Sequence, residues 1–267
     1  MGFDIEKLNQ LVIDTAKQEL IPRFQRTESN LKADGTLVTA ADLAIQQRIG
    51  EVLSRLYPEI PLLGEEMSGA EQQQVLNHSD KGFWCLDPLD GTANFVAGMP
   101  CFAISLAYLQ GGETRLGIVY DPLREECFHA QTGQGAWLNH QPLKLNRSQT
   151  ELANCVAMVD FKRLPERLAA HLATHPPYRS QRSIGSVALD WCWIAADRFQ
   201  LYLHGGQRLW DYAAGRLIFA EAGGASRLSD EIHHASDQTY DLRPKVAKAA
   251  VNQQLFAAWD EWLEGHL

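Results

Sequence analysis

Two carboxylates three residues apart, at the end of an apolar run, are the first chemistry this sequence offers. Phe83-Trp84-Cys85-Leu86 reads as a buried strand, and Asp87-Pro88-Leu89-Asp90-Gly91-Thr92 follows it directly. Pro88 has no N–H and biases Asp87 towards extended backbone, so the strand is expected to stop at Asp87. Gly91 permits a tight turn with positive φ, and Thr92 places a hydroxyl at an expected helix start. Such a corner displays hard oxygen ligands of the kind a Mg²⁺-dependent phosphate enzyme needs.

Further acidic groups stand at the edges of apolar elements: Glu65-Glu66 after Pro61-Leu62-Leu63-Gly64, and Asp211 within Trp210-Asp211-Tyr212-Ala213-Ala214-Gly215. Taken singly, each has a plain structural reading. Glu65-Glu66 fits a solvated loop, Asp87-Pro88 a turn, and Asp211 the N-cap of a helix running to Ala222. If they converge, like charges crowd one site, and only protons or cations relieve that repulsion. All-oxygen ligation favours Mg²⁺, Mn²⁺ or Ca²⁺ over zinc.

The elements that must position these groups follow from periodicity. Leu8, Leu11, Val12, Thr15, Ala16 and Leu20 predict an amphipathic helix over about residues 3–25. Asp34-Gly35 marks a turn, and a second helix follows Thr39 and stops before Pro58. Ile60 to Leu63 is a short extended run, and residues 69–81 read as a loop or short helix. Strands are predicted at Cys101 to Leu109, Arg115 to Tyr120 and Glu126 to Ala130, with another at Leu143 to Leu145. From Cys155 strands and helices alternate. Strands are expected at Cys155 to Val159, Phe199 to Leu203 and Val246 to Val251, and helices at Leu164 to His175, Gly185 to Ala196 and Asp211 to Ala222. A last amphipathic helix carries Leu255, Phe256, Trp259, Trp262 and Leu263. This pattern predicts an α+β half over residues 1–147 that holds the metal and phosphate site, and an α/β half over 148–267 that selects substrate.

Composition narrows the class. The chain has 267 residues, 45% hydrophobic and 21% charged, the proportions of an ordinary globular protein. A formal charge of −9 argues against a large nucleic-acid footprint but not against a phosphate substrate, because bound cations invert the local sign. Cys85, Cys101, Cys127, Cys155 and Cys192 form no Cys-x-x-Cys pair, so free thiols are expected. Met1-Gly2-Phe3-Asp4-Ile5-Glu6 lacks the pattern of a signal peptide, and no apolar run reaches membrane-spanning length. A cytoplasmic protein without membrane contact is the expectation.

The stretch Trp84-Cys85-Leu86-Asp87-Pro88-Leu89-Asp90-Gly91-Thr92-Ala93-Asn94-Phe95 closely resembles the first signature of the inositol monophosphatase family. Leu209 to Gly215, continuing to Glu221-Ala222-Gly223-Gly224, resembles its second. Gly64-Glu65-Glu66 and Val38-Thr39-Ala40-Ala41-Asp42 match two further blocks in the same order. The resemblance implies a layered αβαβα sandwich of the inositol monophosphatase and fructose-1,6-bisphosphatase type, usually a homodimer. It also implies Mg²⁺-dependent hydrolysis of phosphate monoesters with two to three ions per subunit, Mn²⁺ as a substitute, and inhibition by Li⁺ and Ca²⁺. Carried over by position, Glu65, Asp87 and the Leu89 carbonyl hold one ion, and Asp87, Asp90 and Asp211 another. Water is then expected to attack in line without a phosphoenzyme, with Thr92 orienting it and Glu65 or Asp42 taking its proton. The N–H groups of Gly91 and Thr92 would face the phosphate.

Substrate choice is expected around Gly185-Ser186-Val187 and the segment before Trp210. In relatives selective for inositol phosphates a glutamate stands seven residues before the aspartate of the second signature. Here that residue is His204, which is either a leaving-group contact or a turn residue beside Gly205-Gly206. Arg208 could meet an anionic leaving group, Asp190 and Arg182 are further candidates for leaving-group contacts, and Lys32 is either near the site or a solvated loop lysine. A small phosphorylated polyol such as inositol 1-phosphate is the expected substrate. The alternatives are 3′-phosphoadenosine 5′-phosphate, histidinol phosphate, or a regulatory binding role on the same fold.

Overall fold

The run Phe83-Trp84-Cys85-Leu86 forms an interior strand of a seven-stranded sheet, and the other elements arrange themselves around it. A computed structural model of the chain describes residues 2–25, 29–31, 37–78, 81–145, 148–231 and 240–266. Helix α1 (Ile5–Thr15) starts at Asp4, whose carboxylate accepts the Lys7 N–H. It then widens into a π turn (Ala16–Leu20) and tightens into a 3₁₀ turn (Ile21–Arg23). The single helix expected to residue 25 therefore changes pitch twice. Pro22 is the local cause, since it lacks an N–H and its ring crowds the carbonyl of the preceding turn.

Strands β1 (Ser29–Leu31) and β2 (Leu37–Thr39) pair antiparallel, while Lys32 and the Asp34-Gly35 turn lie outside the described residues. Helix α2 (Ala40–Leu56) ends before Pro58 as its sequence predicts. Then come β3 (Leu62–Gly64), α3 (Gly69–Asn77), β4 (Phe83–Asp90) and α4 (Thr92–Ala97). Strands β5 (Ala103–Gln110), β6 (Glu113–Asp121), β7 (Glu126–Gln131), β8 (Ala136–Leu138) and β9 (Gln141–Leu143) complete the sheet in the order β3 to β9. The strand expected at Leu143 to Leu145 is thus β9, which ends at Leu143. Pro142 is tolerated there because β9 is the edge strand.

Strand β4 does not end at Asp87 as expected. It runs on to Asp90, and its register against β5 shifts between Asp87 and Asp90. Pro88 sits inside that irregularity, where a missing ladder donor does least harm.

The second half supplies β10 (Val156–Asp160), α5 (Glu166–Thr174), β11 (Ser180–Arg182), α6 (Val187–Ala195), β12 (Leu201–Gln207), α7 (Leu209–Glu221), β13 (Ala225–Ser229), β14 (Lys245–Ala250) and α8 (Gln253–Glu264). Its sheet runs β11-β10-β12-β14-β13, with β10 parallel to both β11 and β12.

Strand alternation sets the layers. Trp84 and Leu86, Ile104, Leu106 and Tyr108, and Leu116, Ile118 and Tyr120 join one core with α1 and α2. Cys85, Ala103, Ala107 and Val119 join the core that contains α6, α7 and the five-stranded sheet. Helices α5 and α8 cover the far side, where Trp259 donates to the Tyr202 carbonyl at 3.2 Å. The result is an αβαβα sandwich. Two glycines let the middle layer close. A Cβ on Gly117 would stand 2.7 Å from the Ala214 carbonyl oxygen, and one on Gly215 2.6 Å from Trp191 Cβ. All five cysteines are free thiols. No helix among the described residues is long and apolar enough to cross a membrane.

Candidate active site

The β4 irregularity brings two carboxylates, Asp87 and Asp90, to the same space. Asp87 Oδ1 accepts the Leu89 N–H at 3.0 Å, an Asx-type turn that curls the chain around Pro88. Oxygens of Asp87, Asp90 and Asp211 all lie within 4.8 Å of one another. Asp87 and Asp90 are almost fully buried, at 2% and 8% exposure.

Asp90 is fixed from the other half of the chain. It accepts hydrogen bonds from the Ser186 hydroxyl, from the Val187 N–H at 3.2 Å and from the Ala188 N–H at 2.8 Å. The start of α6 is therefore aimed at Asp90, and Ser186 and Val187 direct these donors onto a carboxylate. Gly185, at φ +75°, leads into this turn and packs beside Asn94, whose amide donates to both the Cys101 and Ile184 carbonyls. These partners lie more than ninety residues from Asp90 in sequence, and no local signal announces such a link.

Asp211 is not an N-cap. It is the third residue of α7, and its Oδ2 accepts the Arg208 N–H at 2.8 Å. Helix α7 is held at this depth by the Gly117 and Gly215 contacts and by Ser105, which donates to the Trp210 carbonyl at 3.2 Å.

Glu65 is not on a solvated loop. Its N–H donates to the Leu86 carbonyl at 3.0 Å, and Gln72 donates to the Gly64 and Glu65 carbonyls at 2.9 and 3.2 Å. Gln46 accepts the Glu66 N–H and approaches so close to Gly64 that any side chain there would collide with it. This clamp sets Glu65 against Asp87, within hydrogen-bonding reach.

Thr92 and Asp42 form a second pairing. The Thr92 hydroxyl lies 2.9 Å from the Leu89 carbonyl and 3.4 Å from Asp42 Oδ1. Asp42 is fully buried at the first turn of α2, where its Oδ2 accepts the Thr39 N–H at 2.7 Å and the Thr39 hydroxyl at 2.6 Å. One carboxylate oxygen thus caps the helix while the other faces Thr92. Gly91, at φ +91°, makes the turn between β4 and α4.

Burial pushes the carboxyls of Asp87 and Asp211 well above the usual range, and their acidic neighbours push further. Asp90 is raised to about 6, chiefly by burial, against the downward pull of its bonds from Ser186, Ala188 and Val187. Two buried carboxyls and a half-buried one, all oxygen donors, fit a hard divalent cation, which removes the repulsion that otherwise holds protons there.

A pH dependence follows. Asp90 is raised from 3.8 to about 6, so between those values the folded chain binds more protons than the unfolded one. Without cations, stability therefore falls as pH rises through that window and stays low above it. Millimolar Mg²⁺ is expected to raise the melting temperature by several degrees at about pH 7.5 and by much less at about pH 5. Differential scanning fluorimetry checks this, and an equal shift at both pH values contradicts it.

The leaving-group candidates are dispersed. His204 is not a turn residue: it lies in β12 with 4% exposure. Its Nδ1 accepts the Gly206 N–H at 3.2 Å, so its Nε2 carries the hydrogen and meets Asp160 Oδ2 at 3.2 Å. Burial lowers its pKa and favours this neutral form. Sequence reading missed Asp160, which is only partly buried at the end of β10 and pairs directly with His204 in the parallel register. Arg208 donates to the Leu242 carbonyl, and Arg182 to Ser180 Oγ and the Gln181 carbonyl. Asp190 is buried on α6 at 5% exposure, with its carboxyl pushed well up by burial and by nearby Asp90.

Comparison with known proteins bears on the family and the fold. A family model described as the inositol monophosphatase family matches residues 4–257. The chain is 38% identical over 203 residues to a protein named Nus factor SuhB from Pasteurella multocida, covering 74% of this chain and 73% of the relative. It is 34% identical over 271 residues to inositol monophosphatase 1 of Solanum lycopersicum, covering 97% and 96%. A solved structure described as an IMPase/NADP phosphatase complexed with Mg²⁺ and phosphate superposes with a TM-score of 0.80 at 25% identity, covering 97% of this chain and 95% of the other.

Proposed function

This chain belongs to the inositol monophosphatase family, and from that premise we propose that it is a Mg²⁺-dependent phosphatase of small phosphorylated polyols such as inositol 1-phosphate. The observation that carries the reading is the meeting of Asp87, Asp90 and Asp211 within 4.8 Å beside Glu65 and the Thr92–Asp42 pair. Glu65, Asp87 and the Leu89 carbonyl would hold one Mg²⁺, and Asp87, Asp90 and Asp211 a second. Bound Mg²⁺ supplies positive charge against the phosphoryl oxygens and lowers the pKa of water.

The chain's own groups do the rest. Gly91 and Thr92, at the start of α4, turn their N–H groups towards the phosphate. Thr92 orients the attacking water, and Asp42 receives its proton through the hydroxyl. Burial raises the Asp42 pKa, which makes it a stronger base than an exposed aspartate. Water attacks the phosphorus directly as the bond to the leaving oxygen breaks. Ser186 and Val187 serve by fixing Asp90, and Gly185 lines the approach. In this reading the enzyme works as a homodimer.

At the leaving-group edge, His204 acts through Asp160. Both ring nitrogens are engaged within the protein, so the imidazole fixes the carboxylate that meets a substrate hydroxyl. His204→Glu, which restores the residue type of inositol-selective relatives, would set a second carboxylate against Asp160. The single variant is expected to raise KM for inositol 1-phosphate by about 10-fold through that repulsion, and adding Asp160→Asn is expected to restore it. A lower KM in His204→Glu alone would show that position 204 reads the substrate by itself.

The general test is phosphate release in Mg²⁺, with and without Li⁺, from inositol 1-phosphate, 3′-phosphoadenosine 5′-phosphate, histidinol phosphate, fructose 1,6-bisphosphate and glycerol 2-phosphate. Inositol 1-phosphate is expected to be hydrolysed most efficiently. The relative named as a Nus factor favours a second reading, in which the fold acts as a binding protein. Release from no member of the panel would support that reading over the first.

A further inference from the structure

We propose that Asp190, Trp191, Tyr202 and Gln207 form a buried clamp of positioning residues, which ties helix α6 to strand β12 and thereby tunes the Mg²⁺ affinity of the carboxylate centre. The inference rests on the reading of that centre as a Mg²⁺ site. Trp191, Tyr202 and Gln207 are at 0% exposure and Asp190 is at 5%. Polar groups at such depth are costly unless each finds a partner. Two of the four stand on α6 and two on β12. Trp191 and Tyr202 also meet edge to face, with ring centroids 4.9 Å apart.

The donors run in one direction. The Trp191 indole can only donate, and its Nε1 lies 3.1 Å from Gln207 Oε1. That contact fixes the amide, so Gln207 Nε2 is the group that donates to the Tyr202 hydroxyl. The hydroxyl accepts there and keeps its own hydrogen for the Asp190 carboxyl, which is within hydrogen-bonding reach. Tyr202 and Gln207 are five residues apart, an odd spacing that puts side chains on opposite faces of a regular strand. The register of β12 against β14 shifts between His204 and Gln207, and this irregularity at Gly205-Gly206 brings Gln207 round to Tyr202.

The clamp bears on two carboxylates of the centre from one point. Asp190 and Trp191 directly follow the turn in which Ser186, Val187 and Ala188 donate to Asp90. On the other side, Trp191 Cβ packs where a Cβ on Gly215 would stand, 2.6 Å away, four residues past Asp211 on α7. Tension or slack between α6 and β12 is therefore felt at Asp90 through α6 and at Asp211 through α7. Hydrogen-bonded groups behind metal ligands tune metal affinity in this way. Among the described residues Asp190 Oδ1 has no hydrogen-bond partner, so the chain asks of Asp190 one acceptor oxygen and no charge. Burial and nearby Asp90 favour its neutral form.

Calorimetric titration of Mg²⁺ into the full chain reads the effect without turnover. Tyr202→Phe keeps the ring and removes the hydroxyl, and Gln207→Met keeps the length and removes the amide. Each is expected to weaken Mg²⁺ binding by about 10-fold. Asp190→Leu is expected to do the same, whereas Asp190→Asn keeps an acceptor oxygen and is expected to stay within about threefold of the parent. At saturating Mg²⁺ the kcat of Tyr202→Phe is expected to stay within a few fold of the parent. Lowered melting temperatures with a parental isotherm in both Tyr202→Phe and Gln207→Met would make the clamp structural only and overturn the proposal. An Asp190→Asn isotherm as weak as that of Asp190→Leu would assign the effect to charge and overturn it too. A parent that binds no Mg²⁺ overturns the metal reading and this proposal with it.

Discussion

Asp87→Asn is expected to lower phosphate release by about 1,000-fold or more at saturating Mg²⁺, while making the cation-free protein more stable. Both effects come from one charge. Asp87 is 2% exposed and stands beside Glu65, Asp90 and Asp211, so its ionised form is held at a penalty that a cation removes. Asparagine has nearly the same shape and can accept the Leu89 N–H through its carbonyl oxygen, so the turn at Pro88 should survive. What goes is the negative charge proposed to bridge two ions. A loss of about 4 kcal/mol of charge stabilisation in the transition state corresponds to about 1,000-fold in rate. The melting temperature without Mg²⁺ should rise by a few degrees, and the Mg²⁺-induced increase should largely vanish. This opposition of stability and activity separates the variant from a merely misfolded one. Turnover within about tenfold of the parent would remove Asp87 from the metal-binding scheme.

The layered fold was legible because its signals are local. Thr39 with Asp42 three residues on opens α2, Pro58 follows its end, and the alternation of Trp84, Leu86, Ile104 and Leu106 marks one buried face. The acidic residues were legible as types at element edges, but their meeting depends on contacts that sequence cannot display. Ser186 reaches Asp90 across 96 positions, and α7 reaches its depth because Gly117 and Gly215 carry no side chain. The strand end was misjudged for a related reason. Proline signals the loss of a ladder bond, but a bulge absorbs that loss without ending the strand, and the bulge is what directs Asp87 and Asp90 to one side. His204 shows the limit most plainly. Two adjacent glycines suggest a turn, yet β12 continues through them, and the partner that defines the histidine, Asp160, lies on a neighbouring strand. Cross-strand pairing is fixed by tertiary register, so no spacing rule would have joined the two.

The second large effect is expected at the Thr92–Asp42 pair. Asp42→Asn should lower kcat by about 100- to 10,000-fold with little change in KM, as removal of a general base does. Asp42 has two duties on separate oxygens: Oδ2 accepts from Thr39 at the start of α2, and Oδ1 faces the Thr92 hydroxyl at 3.4 Å. Asparagine can retain the cap through its carbonyl oxygen, which leaves the amide to face Thr92. That amide donates where an acceptor is needed, so the hydroxyl can no longer pass a proton on. With the cap retained, any stability loss should stay below about 1 kcal/mol, the usual scale of losing a helix cap, and denaturant titration would measure it. Thr92→Ser keeps the hydroxyl and should retain most activity, whereas Thr92→Val keeps the shape and should match Asp42→Asn. The pH profile adds a readout that a purely structural role would not move. Burial raises the Asp42 pKa, so its unprotonated fraction, and with it kcat, should fall on acidification at a pH above the ordinary aspartate range. That acidic limb should disappear in Asp42→Asn. If Asp42→Asn and Thr92→Val both retain kcat within a few fold of the parent, the proton leaves the attacking water by another route, and Glu65, beside Asp87, becomes the group to replace next.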